Sequence, residues 1–284
     1  MSERLAQVGQ RIATVRQLGT VVSAMRGIAA ARAQQSRTRL PAMRAYAETV
    51  LRAIASARRL EPGPPASAAD RPSGKPALII LGAEQGFAGA FPEQVLAAAA
   101  DEFAHMHVLL VGNRTAALAA ERDLEPAWTT ALPSGPTMLA SAANVVLDAL
   151  YEYLSDAGAV PVAILYPVWK TGGGVGIIRR DLLPLDPAAL SPDGSGQPPL
   201  TNLPPADLVA RLLQEYVFTQ IYEGAIEAFT AENEARAATM AAAKENIDDK
   251  LAALEREQRL TRQEEITAEV VELAAGVAFK KRRA

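Results

Sequence analysis

From Thr230 to Lys281 the chain has no proline and one glycine, Gly276, and alanine, glutamate, arginine and lysine dominate. These residues favour a helix because they lose little conformational freedom in one. Ile247, Leu251 and Leu254, then Ile266, Val270, Leu273 and Val277, recur at steps of three and four and fall on one side. A helix of this length without a stop signal is too long for an ordinary globular core. It calls for a partner, as in a coiled coil or an interdomain rod.

The other end of the chain offers that partner. Residues 3 to about 59 read as one long helix. Leu5, Val8, Ile12, Val15, Val22 and Ala29 follow the three-four spacing of a coiled-coil seam. Gly19 and Arg26 fall where the register expects apolar residues, while Leu18 and Met25 lie one position off, so the stripe drifts or broadens. Gly9, Gly19 and Gly27 each cost a helix interior about 1 kcal/mol against alanine, so packing must hold this helix. Pro41 predicts a kink or a local break.

Between the two runs the period changes. Residues 61–76, rich in proline, glycine, serine and alanine, read as a linker. Apolar runs at 77–81, 107–111, about 127–132, 160–166 and 175–183 read as strands. Helical patterns over about 92–105, 114–122 and 139–157 separate them. Alternation of this kind predicts a mostly parallel sheet. The last two strands are joined by only residues 167–174, too few for a helical crossover, so they read as an antiparallel edge hairpin. Residues 186–205 read as a return loop, and the helical pattern resumes at Ala206. The expected fold class is α/β: two long terminal helices forming an antiparallel coiled coil around an inserted Rossmann-like domain. The expected division is residues 1–59, 60–205 and 206–284. Unbroken, the C-terminal helix would reach on the order of 100 Å.

Composition narrows the function classes. Hydrophobic residues at 49% and charged residues at 21% suit a packed core. The aromatic share of 5% leaves little material for base stacking or sugar platforms. With no cysteine, disulfides, thiolate metal sites and a cysteine nucleophile are excluded. The net charge of −3 hides an asymmetry: Glu3 to Arg59 carries eleven arginines and two glutamates, while Glu223 to Glu272 is acidic. The two ends can attract each other; a basic arm can equally meet nucleic acid or acidic lipid. No apolar run is long enough to cross a membrane, and the N-terminus lacks the apolar core of a signal peptide.

No motif points to catalysis. Residues 172–176, Gly-Gly-Gly-Val-Gly, lie between two strands and read as a hairpin turn, not a phosphate loop. Gly82 to Gly89 occupies the place of a dinucleotide loop but with the wrong spacing, and reads as a structural turn. His105 and His107 have no third ligand nearby, so neither a metal nor a cofactor is expected. Arg262, Gln263 and Thr267 are spaced to present polar groups on one helical side, beside Ile266. On residue types alone this is a polar coiled-coil face.

Several ordered segments resemble the gamma subunit of F-type rotary ATP synthases. They are residues 11–15 (Arg-Ile-Ala-Thr-Val), Ala24-Met25, Ala29-Ala30, residues 46–49, Gly86 to Gly89, and Tyr216 through Tyr222. They continue with Glu232, Ala235-Arg236, Met240 and Asn246, then Arg262-Gln263, Ile266-Thr267, Glu269 and Glu272. The resemblance implies a non-catalytic central-stalk rotor that couples ion flow to ATP synthesis or hydrolysis. Its terminal helices would turn inside an alpha3beta3 ring. Its α/β domain would sit at the stalk base, against the epsilon subunit and the c-ring of the membrane sector. The implied location is peripheral, on the cytoplasmic face of a bacterial plasma membrane. Met25, Arg26, Arg262, Gln263 and Thr267 match positions that meet the beta subunits in that family. The chain departs from the family at residues 85–90, Gln-Gly-Phe-Ala-Gly-Ala, where an arginine and a cysteine are gone. It departs again at the basic tail, residues 280–283. Those departures suggest a divergent member, sodium-coupled or mainly hydrolytic. A nucleotide-binding enzyme with helical extensions and a basic coiled-coil scaffold are the rival readings; neither nucleic acid nor a membrane span is expected.

Overall fold

The computed structural model describes residues 3–60, 74–170, 172–186 and 200–281, with side chains up to residue 274. The expected linker and return loop fall mainly outside them, as do the side chains of Ala275, Val277 and the basic tail. The chain divides into two compact units, one of residues 1–28 and 237–284, the other of residues 29–236. Two helices, α1 (Glu3–Arg37) and α6 (Pro205–Lys281), each contribute to both.

In the first unit α1 and α6 pair antiparallel. Val8, Ile12 and Leu254 bury together, with Val15 and Leu251 packed against them. Arg16 bonds Glu255 at 2.6 Å, and Arg4 approaches Glu264 at 4.0 Å. A Cβ added to Gly19 would meet Ile247 at 3.2 Å, so the two helices approach closely at this glycine. The seam departs from the expected register in one respect. After Val22 it passes through half-buried Met25, and Arg26 is exposed. A straight helix turns 3.6 residues per turn, not 3.5, and the stripe slips by one position. The C-terminal half of the expected α6 stripe is not covered at all: Ile266, Val270 and Leu273 are 55%, 58% and 70% exposed.

The second unit is a three-layer sandwich. Its sheet holds β1 (Ala77–Leu81), β2 (His107–Val111), β3 (Trp128–Thr130), β4 (Val162–Trp169) and β5 (Val175–Leu183), in the order β3-β2-β1-β4-β5. β1 runs parallel to both β2 and β4, β2 runs parallel to β3, and β4–β5 is the antiparallel hairpin. Gly172, Gly173 and Gly174 make its tip, each with φ near +94°, a backbone region that glycine enters without strain. Alternation along the strands divides two cores. Ile79, Leu109 and Ile164 face α2 (Leu40–Ala57), α5 (Leu139–Ala157) and residues 216–229 of α6. Leu78, Ile80, Val108 and Leu110 face α3 (Phe91–Ala99) and α4 (Asn113–Glu121).

Two expected helices are shorter. The N-terminal run breaks at Thr38 and Arg39, where α2 restarts with Pro41 in its first turn, because proline cannot donate to the preceding turn. The run from residue 92 to 105 ends as α-helix at Ala99 and tightens into a 3-10 turn over Ala100–Glu102.

A cluster of ions ties α2 and β5 to α6. Glu223, its side chain 6% exposed, lies 3.2 Å from Arg44 and 3.3 Å from Arg180. Arg44 also bonds Glu227 at 2.6 Å, and Arg180 stands over the Tyr166 ring. Burial raises the Glu227 carboxyl above the usual range, against the pull of Arg44.

Candidate functional site

Arg262, Gln263 and Thr267 stand on exposed turns of α6 in the first unit, and the Thr267 hydroxyl donates to the Gln263 carbonyl at 2.8 Å. That back-bond fixes the hydroxyl and leaves an oxygen lone pair outward. Gln263 and Thr267 share a shallow groove with Leu260, Glu264, Ala268 and Val271. Leu260 and Val271 are each 61% exposed. Among the described residues the first turn of α1 approaches this end of α6, with Arg4 4.0 Å from Glu264. The result is a polar edge beside an exposed apolar surface.

Met25 and Arg26 lie elsewhere on the helix pair. Gly19 is level with Ile247, which is about 22 Å along α6 from Arg262 at 1.5 Å per residue. Met25 lies farther along still. The five predicted residues therefore form two separate surfaces. One is half-buried Met25 with exposed Arg26, and the other is the Arg262-Gln263-Thr267 edge.

In the second unit the place where a doubly wound sheet binds a nucleotide is the crevice beyond the carboxyl ends of β1 and β4, at the switch in strand order. Here the chain fills it. The Glu84 carboxylate accepts from the Asn113 backbone N–H at 2.9 Å, from Asn113 Nδ2 at 2.8 Å and from the Leu132 N–H at 2.9 Å. It occupies the N-terminus of α4, beyond the carboxyl ends of β2 and β3. The β1–α3 loop is bound in turn by α6. Glu232 accepts from the N–H groups of Glu84 at 3.1 Å and Gln85 at 3.0 Å. Arg236 donates to the carbonyls of Gly86 at 3.2 Å and Gln85 at 3.4 Å, and pairs with Glu232. The Glu232 and Arg236 side chains are 3% and 8% exposed. Gly82 leaves no space either, since a Cβ there would meet Thr115 Oγ1 at 2.4 Å.

Sequence reasoning noted Glu232 and Arg236 but gave them no role. Their available signal was only an acid and a base four apart on a helix, in a stretch that also carries Glu227, Asn233 and Glu234. His107 is also explained. Its ring stacks on Tyr153 with centroids 3.6 Å apart, and burial, then the Lys75 charge, lower its pKa. His105 is exposed.

The sequence profile of the ATP synthase family matches residues 4–278. The chain is 29% identical over 300 residues to the ATP synthase gamma chain of Granulibacter bethesdensis, covering 94% of this chain and 96% of that one. It is 26% identical over 295 residues to the gamma chain of Streptomyces avermitilis, covering 98% and 96%. Its fold matches a chain of the Euglena gracilis mitochondrial ATP synthase rotor with a TM-score of 0.64 at 14% identity, covering 93% and 99%. A chain from the central stalk and c-ring structure of the Tetrahymena thermophila mitochondrial ATP synthase matches with a TM-score of 0.53 at 17% identity, covering 78% and 99%.

Proposed function

Since the chain belongs to the ATP synthase family, as a gamma chain of the central stalk, we propose that its two exposed edges on the helix pair are where it drives the catalytic subunits. The chain itself is non-catalytic. Its terminal helices turn inside a ring of three alpha and three beta subunits. The asymmetry of that shaft takes each beta subunit through different nucleotide affinities. Residues 1–59 and 206–284 serve as the shaft, and residues 60–205 as the foot that meets the epsilon subunit and the c-ring.

The observation that carries this reading is the bare end of α6. Arg262, Gln263 and Thr267 stand beside Ile266, Val270, Val271 and Leu273, whose side chains are all more than half exposed. An apolar surface rimmed by hydrogen-bonding groups is stable when another chain covers it. A ring of subunits covers it while leaving it free to turn. Met25 and Arg26 supply the second contact lower on the pair. No described helix is long and apolar enough to cross a membrane. The attachment we propose is peripheral, through partner chains, on the cytoplasmic face of a bacterial plasma membrane.

Replacing Arg262 and Gln263 together by alanine tests the reading in the assembled complex. ATP-driven ion pumping per ATP hydrolysed should fall, with alpha and beta chains still co-purifying. Unchanged turnover and pumping would remove the role given to this pair.

A further inference from the structure

We infer that Glu223 is a positioning residue for torque: held by Arg44 of α2 and Arg180 of β5, it keeps α6 from turning against the sheet when the rotor works under load. The inference rests on the rotor reading, in which load passes between the foot and α6. It concerns residues inside the second unit, not the exposed edges of the helix pair.

Residues 216–229 of α6 lie on the sheet, and Glu223 stands in the middle of that seat. Beside it, a Cβ added to Gly224 would meet Leu81 Cδ1 at 2.9 Å and Ile164 Cδ1 at 3.0 Å, so the helix backbone rests on β1 and β4. Ile221, Ala225 and Ala228, each 2% exposed or less, extend the apolar contact. Apolar burial holds the helix down but has no direction of its own. Gln220, Glu223 and Glu227 follow at steps of three and four and share one face of α6. The Glu223 carboxylate gives one oxygen to each neighbour. Oε1 accepts from Arg44 Nε at 3.2 Å, and Oε2 accepts from Arg180 Nη1 at 3.3 Å. Arg44 reaches on to Glu227, one turn along, at 2.6 Å. Arg180 donates to Gln220 as well and stands over the Tyr166 ring of β4, 5.7 Å from its centroid.

Stability does not account for this arrangement. The Glu223 side chain is 6% exposed and that of Glu227 12%. Desolvating such groups cancels much of their attraction, and apolar side chains of similar volume often hold elements together as well. What the ions add is direction. A charge-assisted hydrogen bond is strong along its line and weakens steeply off it. A carboxylate gripped through separate oxygens, from a helix and from a strand, resists rotation of α6, since a turn stretches or bends at least one of the two bonds. The Arg44 and Arg180 side chains are 55% and 36% exposed. Water can therefore solvate both guanidinium groups, and removing the Glu223 charge strands no buried cation.

Glu223→Gln in the assembled, membrane-bound complex is the test, since it keeps the shape of the side chain and removes its charge. Arg180→Met, which leaves the Arg44–Glu223 pair in place, is prepared alongside, as is the Arg262/Gln263 double alanine variant. With the ion gradient collapsed, the Glu223→Gln complex should hydrolyse ATP at the wild-type rate. Against a full gradient, ions pumped per ATP hydrolysed should fall about twofold, the ratio of a charge-assisted to a neutral hydrogen bond. Arg180→Met should show the same dependence on load to a smaller degree. A merely structural role predicts an equal loss with and without the gradient, and that result overturns the inference. So does wild-type pumping against the full gradient. Where Glu223→Gln yields no assembled complex, Arg180→Met decides by the same two readings. A normal Glu223→Gln complex beside an impaired Arg262/Gln263 variant removes this inference alone. Normal behaviour of both removes the rotor contacts proposed above as well.

Discussion

Arg236 divides its guanidinium among Glu232, Asn233 and the carbonyls of Gln85 and Gly86. Removing it leaves the Glu232 carboxylate charged and buried without its partner. Arg236→Ala should therefore cost about 3 to 5 kcal/mol, read as a shift in the urea midpoint of tryptophan fluorescence. Lysine at this position should recover only part, because it lacks the planar fork that reaches two carbonyls and a carboxylate together. His107 makes a second residue-scale prediction. Its folded pKa is lowered from 6.5, by burial first and by Lys75 second. The folded state thus favours the neutral ring. The stability this contributes is full above the unfolded value and is lost as pH falls through the folded one. His107→Phe keeps a ring on Tyr153 and removes the titration. Its melting temperature should fall less than that of the wild type between about pH 7.5 and 5.5. Neither role was legible in the sequence. Glu232 and the N–H group it accepts from at Gln85 lie 147 residues apart, and the stacking of His107 on Tyr153 depends on how β2 meets α5.

Elements were more legible than contacts, for reasons that differ along the chain. α5 matches its expected span of 139–157, because Leu139, Ala143, Val146 and Leu150 keep one buried face and Gly158 stops it with φ 78°. The hairpin was legible from loop length alone. The seam of α1 was legible through Val22 and again at Ala29, and departs only at residue 26, where half-buried Met25 takes the place of exposed Arg26, since a strict heptad cannot be followed on a straight helix. Its glycines separate what the sequence treated alike. Gly27 has open space around the position of a Cβ, whereas Gly19 faces Ile247 at 3.2 Å. Gly27→Ala should stabilise the helix pair by about 0.5 to 1 kcal/mol through propensity alone. Gly19→Ala gains the same propensity but forces the helices apart, so its net effect should be smaller or destabilising. Urea melts of the isolated chain followed by far-UV circular dichroism would rank the two; equal stabilisation would mean that Gly19 is not a packing position.

At the scale of the molecule the two units differ most in how much core each owns. The second buries both faces of a five-stranded sheet. The first, among the described residues, buries Leu5, Val8, Ile12, Val22, Met240 and Leu254, with Val15 and Leu251 beside them. The sequence suggested a more even balance, because it counted Ile266, Val270 and Leu273 toward the same seam, and they are exposed. Sequence periodicity reports that a face is apolar and not whether the same chain covers it. Helix pairs with so little buried surface are marginal alone, since propensity supports few turns without packing. The isolated chain should therefore unfold in two steps. Both tryptophans, Trp128 and Trp169, pack against the cores of the second unit, so fluorescence reports that unit alone. Far-UV circular dichroism reports helix in both. Ellipticity should fall first at low urea while fluorescence holds, and the two signals should fall together only in a second transition. Coincident curves would mean that the helix pair draws its stability from the sheet. Assembly with alpha and beta chains should move the first step up and leave the second near its place, because a partner that binds only the folded pair stabilises only that pair.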